Sequence, residues 1–376
     1  MYTRKLAPIV EELLGEFRIL YLTGPRQAGK TTLVRQLAEQ LGMKYLTFDQ
    51  QAVQQSAAQD PHGFIEAMGD QKIALDEFQY IPQLIPAIKA ASDQLTPNTF
   101  GKFLLTGSAD IFRSAKAQEA LPGHMARLEL YPLSVSEITD SHFNLIDYLQ
   151  GGDFTSGAFK LNTAEPLASW ILQGGYPEVQ GKSSRAQQAW FNSYMEGRLL
   201  KDFETLYAAR GAYHSRLQAL LPWLAGLCGN LLKYASAAND LALDDKLVKN
   251  YVEVLELMFI VQRLPAWLKN SAKRQAVTLP KLHFVDTGLA CHLLGLRTPE
   301  RLKQSQFYGG LLENLLYLEC RKHNGWANDE VRIYHYRDNR KNEVDMVLEQ
   351  NNGEIIGLEV KASATITPKD FRGLNA

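Results

Sequence analysis

Cysteine is scarce: the chain of 376 residues has only Cys228, Cys291 and Cys320. They lie far apart in apolar surroundings, without metal-type spacing. That excludes a disulfide framework and a thiolate metal centre, and fits buried, reduced thiols in a cytoplasmic protein. Net charge is missing too, since 40 Lys and Arg meet 41 Asp and Glu, leaving −1. No global field therefore draws the chain to nucleic acid or to an anionic membrane, and any such contact must come from a local patch. Long hydrophobic runs are absent as well. The most apolar stretch, 217-LQALLPWLAGLCGNLL-232, is short and carries Gln218 and Asn230, so it does not read as a membrane span. The N-terminus lacks the charged-then-apolar layout of a signal peptide. No internal repeat and no low-complexity tract is visible. The length predicts two or three domains, each with its own core.

What is present is a phosphate-binding pattern. The segment 24-GPRQAGKT-31 follows the apolar run 19-ILYLT-23 and opens the amphipathic stretch 32-TLVRQLAEQL-41. This is G-x-x-x-x-G-K-[ST] in a strand–loop–helix context. The loop residues Gly24, Pro25, Arg26, Gln27, Ala28 and Gly29 would turn backbone N–H groups toward phosphate oxygens, and the helix N-terminus at Thr31 and Thr32 adds its positive dipole. Lys30 is expected at the β- and γ-phosphates and Thr31 at Mg²⁺.

Two later strand ends complete the pattern. The run 72-KIALDEFQ-79 ends in Asp76, expected in the Mg²⁺ shell, and Glu77, expected to polarise the attacking water. The run 102-KFLLTGS-108 ends in Thr106 and Ser108, at the end of a strand where ligands of open α/β sheets bind. Ser108 is open between a sensor of the γ-phosphate or water and a helix N-cap. Arg113 and Arg127 are open between phosphate contacts and solvated surface. No Asn-Lys-x-Asp guanine-reading motif occurs, which favours ATP.

From about Leu145 the pattern turns helical. The stretch 186-AQQAWFNSYMEGRLLKDFETLY-207 spaces its apolar residues as a helical lid would. Three helix candidates, 216–229, 234–241 and 244–258, precede extended stretches at 259–265 and 281–286. Helix, helix, helix and a two-stranded wing is the order of a winged-helix module. Its third helix is acidic at Asp244, Asp245, Glu253 and Glu256, which suits phosphates poorly. The basic segment with Arg263, Lys269, Lys273, Arg274 and Lys281 is open between a nucleic-acid wing, a solvated loop and a docking surface.

Near the end lies 343-EVDMVLEQNNGEIIGLEVKA-362. Asn351-Asn352-Gly353 signals a hairpin, and folding about Asn352 sets Asp345 opposite Glu359 and Glu343 opposite Lys361. Val344, Met346, Leu348, Ile356, Leu358 and Val360 form the opposite, core face. Like charges across a sheet repel, so the Asp345–Glu359 pair calls for compensation, and a divalent cation is the natural candidate. Upstream, 307-FYGGLLENLLYLECRKH-323 reads as a helix with one acid, Glu313, among apolar residues, and 331-VRIYHYR-337 as a strand.

The combination GPRQAGKTTL, ALDEFQYIPQLIPAIKA, FLLTGSADIF, LYPLSVSEI, GGYPE and KLHFVDTGLACHLLG resembles a family of prokaryotic AAA-like (AAA/STAND-type) P-loop ATPases, along nearly the whole chain. The resemblance implies a P-loop ATPase core, a winged-helix region and a C-terminal restriction-endonuclease-like domain. The helix, strand and hairpin of the last segment likewise resemble the PD-(D/E)xK nuclease fold. That implies Glu313, Asp345 and Glu359 as ligands of Mg²⁺ or Mn²⁺ and Lys361 as the residue that orients or activates water. It also implies a further helix and strand from about 368-PKDFRGLNA-376 onward, so the domain is expected to be short of them.

The expected fold is α/β: a P-loop NTPase parallel sheet, a helical and winged-helix region, and a small PD-(D/E)xK-like domain. The boundaries are 1–144, 145–215, 216–296 and 297–376. Two functions remain open. One is an ATPase whose cycle controls a metal-dependent nuclease acting on DNA or RNA. The other is an ATP-driven switch or adaptor whose nuclease-like domain only binds. A homo-oligomer is open under both.

Overall fold

The computed structural model describes residues 2–109, 123, 125–152, 167–207, 213–268, 279–338, 342–362, 367 and 371–374. Arg113, Lys269, Lys273 and Arg274 lie outside the described residues, as does most of 363–376. The chain forms two compact units, Met1–Pro132 with Leu257–Phe259, and Leu133–Glu256 with Ile260–Ala376.

The first unit is built on β1 (Ile19–Thr23), β2 (Lys44–Thr47), β3 (Ile73–Asp76), β4 (Phe103–Gly107) and β5 (Met125–Glu129). They make one parallel sheet in the order β2-β3-β4-β1-β5. Parallel strands are covered on both faces, which is why β1, β3 and β4 read as unbroken apolar runs. The period of two still sorts their side chains. Ile19, Tyr21, Ile73, Leu75, Phe103 and Leu105 pack with Phe48, Phe78 and Ile88 on one face. Leu20, Leu22, Ala74 and Leu104 pack with Val10, Leu14, Leu33, Val34 and Leu37 on the other. The crossover order places β4 between the strand that leads into 24–31 and the strand that ends in Asp76. The three expected strand ends therefore converge at the carboxyl edge of one sheet.

The second unit holds two antiparallel sheets. Helices Tyr213–Gly226, Tyr234–Leu241 and Asp245–Leu257 accompany β6 (Asn230–Leu231), β7 (Val261–Leu264) and β8 (Lys281–Phe284), ordered β6-β8-β7. The aromatic segment expected as a lid forms helices Ser184–Tyr194 and Leu200–Tyr207. Trp190 and Tyr194 pack on Tyr176, with centroids 5.0 and 5.3 Å away.

Two quoted motifs meet here through one buried carboxylate. Asp286 caps the helix Thr287–Leu293 by accepting from Leu289 N at 2.8 Å, and its other oxygen accepts from Gly175 N at 2.7 Å. Gly174 has φ +68°, and a Cβ there would stand 2.3 Å from the same carboxylate. Losing a cap together with a second hydrogen bond costs about 2–3 kcal/mol, so Asp286→Ala should lower the urea midpoint of this unit without changing the slope. An unchanged midpoint would contradict that assignment.

The last sheet is β9 (Arg332–Arg337), β10 (Glu343–Glu349) and β11 (Ile355–Leu358), ordered β11-β10-β9, against the helix Tyr308–Asn324. Met346 pairs with Leu358, Leu348 with Ile356 and Glu349 with Ile355, the register expected for a turn about Asn352. Toward β9 the pairing slips between Val344 and Val347. Such a bulge re-aims the side chains around it, here at Asp345.

Candidate functional site

The loop between β1 and the helix Lys30–Gln40 is shaped by two glycines. Gly24 has φ +145°, and a Cβ there would stand 2.2 Å from Leu130 O. Gly29 enters the helix with φ 97°, a left-handed conformation that glycine adopts without strain. Lys30 is only 5 % exposed and donates to Gly24 O at 2.8 Å and Pro25 O at 2.7 Å. Burial lowers its pKa to about 8, against the pull of Glu77 and Asp76. Arg4, which the sequence reading passed over, braces the loop by donating to Ala28 O at 2.6 Å and Tyr131 O at 2.7 Å.

At the end of β3 the Asp76 carboxylate accepts from three hydroxyls: Thr31 at 2.9 Å, Tyr45 at 2.6 Å, and Thr106. The expected pair of Thr31 and Asp76 is thus already in contact. Two hard oxygens fit Mg²⁺, which takes few protein ligands and keeps water and phosphate for the rest. Tyr45 and Thr106 steady that carboxylate, and neither was legible as a partner from the sequence.

Glu77 adopts φ 56°, a left-handed conformation uncommon outside glycine. Its carboxylate lies 3.3 Å from Ser108 Oγ and 3.8 Å from Arg26 Nη1. Gln79 ties these groups together. Its Nε2 donates to Glu77 and to Ser108 Oγ at 3.0 Å, while its Oε1 accepts from Ser108 N at 3.2 Å. Arg26 also donates to the Tyr80 hydroxyl at 2.8 Å. Arg127 pairs with Glu129 at 2.7 Å. A catalytic group displaced by about an ångström loses roughly a hundredfold in rate, so Gln79→Ala should cut any turnover at least about tenfold while sparing nucleotide affinity. Steady-state kinetics beside equilibrium titration checks this, and an unchanged kcat would remove Gln79 from the positioning role.

The carboxylates of the C-terminal hairpin are arranged differently from expectation. β11 stops at Leu358, so the ladder ends before Glu359 and Lys361. Glu343 does not pair with Lys361; it meets Lys281 at 2.8 Å and Arg337 at 3.1 Å. Lys361 pairs with Glu359 at 2.6 Å. Asp345 accepts from Val360 N at 2.8 Å and from Lys281 at 3.0 Å. Glu313, from the helix, accepts from Lys281 at 2.9 Å. Lys281 is 1 % exposed. Burial alone would lower its pKa, but Glu313 and Asp345 outweigh that and raise it, so the ammonium stays charged. Burial pushes the Glu313 carboxyl up to about 8, with Lys281 opposing. Among the described residues, no group of three or more His, Cys, Asp or Glu side chains is arranged to hold a metal ion.

Two buried imidazoles flank the cluster. His283 shares a hydrogen bond with Asn314 Oδ1 at 3.1 Å, and His335 with Leu279 O at 3.1 Å. Burial lowers their pKa values to about 3 and about 4, with Lys281 adding to both. An unfolded histidine takes a proton near pH 6.5, and these folded ones do not. The unfolded state then binds more protons, so their contribution is complete above pH 6.5 and falls away as pH drops toward 4 and 3. The raised Glu313 carboxyl acts with the opposite sign over part of this range, so the check is a comparison: between pH 7 and 4 wild type should lose more melting temperature than His335→Phe, in which one of the two rings is absent. An identical pH response in the two proteins would contradict burial of a neutral His335 ring.

Residues 16–139 match a family model described as an AAA domain. Residues 164–300 and 308–376 match models of two domains of unknown function, DUF8612 and DUF4143. The chain is 27 % identical over 368 residues to the uncharacterized protein Mb2031c of Mycobacterium bovis, covering 96 % of this chain and 74 % of that protein. The uncharacterized protein Rv2008c of Mycobacterium tuberculosis gives the same figures. Among solved structures, the Walker-type ATPase PABY2304 of Pyrococcus abyssi is similar at 15 % identity and a TM-score of 0.47, over 77 % of this chain and 94 % of that one. AMPPCP-bound DnaA from Aquifex aeolicus gives 12 % and 0.28, over 67 % and 85 %. Together with the parallel sheet and its phosphate loop, the family match makes the N-terminal unit a P-loop domain of the AAA type. No described helix is long and apolar enough to cross a membrane.

Proposed function

We propose that the protein binds ATP with Mg²⁺ and hydrolyses it at the carboxyl edge of its parallel sheet. The observation that carries this is the contact of Thr31 with Asp76 at 2.9 Å beside the buried Lys30. Backbone amides of 24–31 and the Lys30 ammonium would take the phosphate oxygens. Thr31 and Asp76 would hold Mg²⁺, which when bound neutralises charge on the transferred phosphoryl group. Glu77 would orient the attacking water and take its proton, and Ser108 would sense the terminal phosphate. Phosphate release from ATP should depend on Mg²⁺, stop on chelation by EDTA and fall at least about a hundredfold in Asp76→Asn. Bound ATP that is never turned over would limit the site to binding.

The second unit gives this ATPase its output, as a switch or adaptor whose C-terminal domain binds rather than cuts. The cation already lodged among Glu313, Glu343 and Asp345 favours that reading. Helix, strand, helix, helix and two strands in the order β6-β8-β7 support a winged-helix region within it. The rival reading, cleavage of DNA or RNA through Glu313, Asp345, Glu359 and Lys361, draws support from the hairpin register. Incubation of both nucleic acids with Mn²⁺, with and without ATP, separates the two. Cutting that disappears in Asp345→Ala would establish a nuclease, and no cutting with ATP turnover intact would favour the adaptor.

A further inference from the structure

We propose that Lys281 is the resident cation of the C-terminal carboxylate cluster and stands where a divalent metal would be held. Its Nζ lies 2.9 Å from Glu313 Oε1, 2.8 Å from Glu343 Oε1 and 3.0 Å from Asp345 Oδ1. Three carboxylates converge on one point, and an ammonium, itself 1 % exposed, fills that point. An ammonium has three N–H donors; Glu313 and Asp345 each accept a hydrogen bond from it, and Glu343 adds a third close ionic contact. Two of the remaining oxygens are engaged elsewhere. Asp345 Oδ2 accepts from Val360 N at 2.8 Å, and Glu343 Oε2 lies 3.1 Å from Arg337.

The donor set expected for a metal does not fit one in this arrangement. Glu359, its third expected member, is 2.6 Å from Lys361, and its other oxygen has no hydrogen-bond partner. A divalent ion needs oxygens at about 2.0–2.6 Å, a space that Lys281 Nζ takes up. Two positive charges at one point would also repel, so metal and Lys281 exclude each other.

Lys281 reaches the cluster because its neighbours are fixed. On β8 the neighbouring Phe284 gives its N–H to Asn314 Oδ1 at 2.8 Å and takes Asn314 Nδ2 at 3.1 Å. The helix Tyr308–Asn324 is thereby stapled to β8 one residue after Glu313. The ammonium is the second tie between them, and Glu343 and Asp345, two residues apart on β10, both meet it. The residues at 281–284 lie in the region that matches one family model, and all three carboxylates lie in the region that matches another. The cluster thus joins the two matched regions as well as closing the centre.

Nucleotide-free protein decides the matter, independently of the ATPase reading. Uptake of Mn²⁺, followed by electron paramagnetic resonance of the free ion, should show no stoichiometric binding by wild type. Lys281→Met should melt roughly 5–10 °C lower, because one buried partner of a charge cluster is gone. It should also gain one Mn²⁺ per chain, and Mn²⁺ should restore part of the lost melting temperature. Asp345→Asn in that background should abolish the gain. The proposal is overturned if wild type takes up one Mn²⁺ that Asp345→Asn loses, or if Lys281→Met melts like wild type. Should Lys281→Met fail to fold, the wild-type and Asp345→Asn titrations still decide.

Discussion

Lys30→Ala is expected to abolish tight nucleotide binding and to lower ATP turnover at least about a hundredfold, the scale of removing one charge-stabilising donor. The side chain lies 5 % exposed within its own loop, where two backbone carbonyls accept its protons. Burial has already cost this ammonium part of its preference for charge, bringing its pKa to about 8. Phosphate oxygens arriving in the loop would compensate that cost, so binding energy and charge state favour each other. Alanine removes the cation and takes one donor from each of two carbonyls. Titration with a fluorescent ATP analogue, beside phosphate release, measures both effects. Turnover within a few-fold of wild type would place the nucleotide elsewhere.

Glu77→Gln should separate what Lys30→Ala removes together. The amide is nearly isosteric and keeps an oxygen beside Ser108, so ATP should still bind. It cannot take the proton of an attacking water, and general bases of this kind contribute about 10²–10⁴ in rate. The expected protein holds ATP and turns it over at least about a hundredfold more slowly. Equal losses of binding and turnover would make Glu77 a structural group. A strained left-handed backbone at a carboxylate that three side chains approach is consistent with function at that residue.

The sequence made the first unit legible because its signals are local. Apolar runs at 19–23, 73–76 and 103–107 are the strands, and the glycines at 24 and 29 sit where the loop needs them. The hairpin register was legible too, since Asn351-Asn352-Gly353 and period-two alternation both act within a few residues. The groups that escaped are distant partners. Tyr45 reaches Asp76 from 31 positions away, and Lys281 reaches Asp345 from 64. Pairing of that kind depends on how sheets and helices stack, which periodicity does not encode. The bulge in β10 escaped for a related reason, because it exists only against β9. The ladder of β11 ends before Glu359, and Asp345 takes the Val360 amide and the Lys281 ammonium as its partners.

Asp286 has a bearing on how copies of this protein diverge. One carboxylate starts a helix, receives an amide 111 positions upstream and presses on a glycine that tolerates no side chain. A Cβ at Gly288 would stand 2.6 Å from Gln173 O. A change at Gly174, Asp286 or Gly288 is poorly tolerated while the other two remain. These three positions are therefore expected to be inherited as a block, and a lineage that loses one should have rebuilt the whole corner.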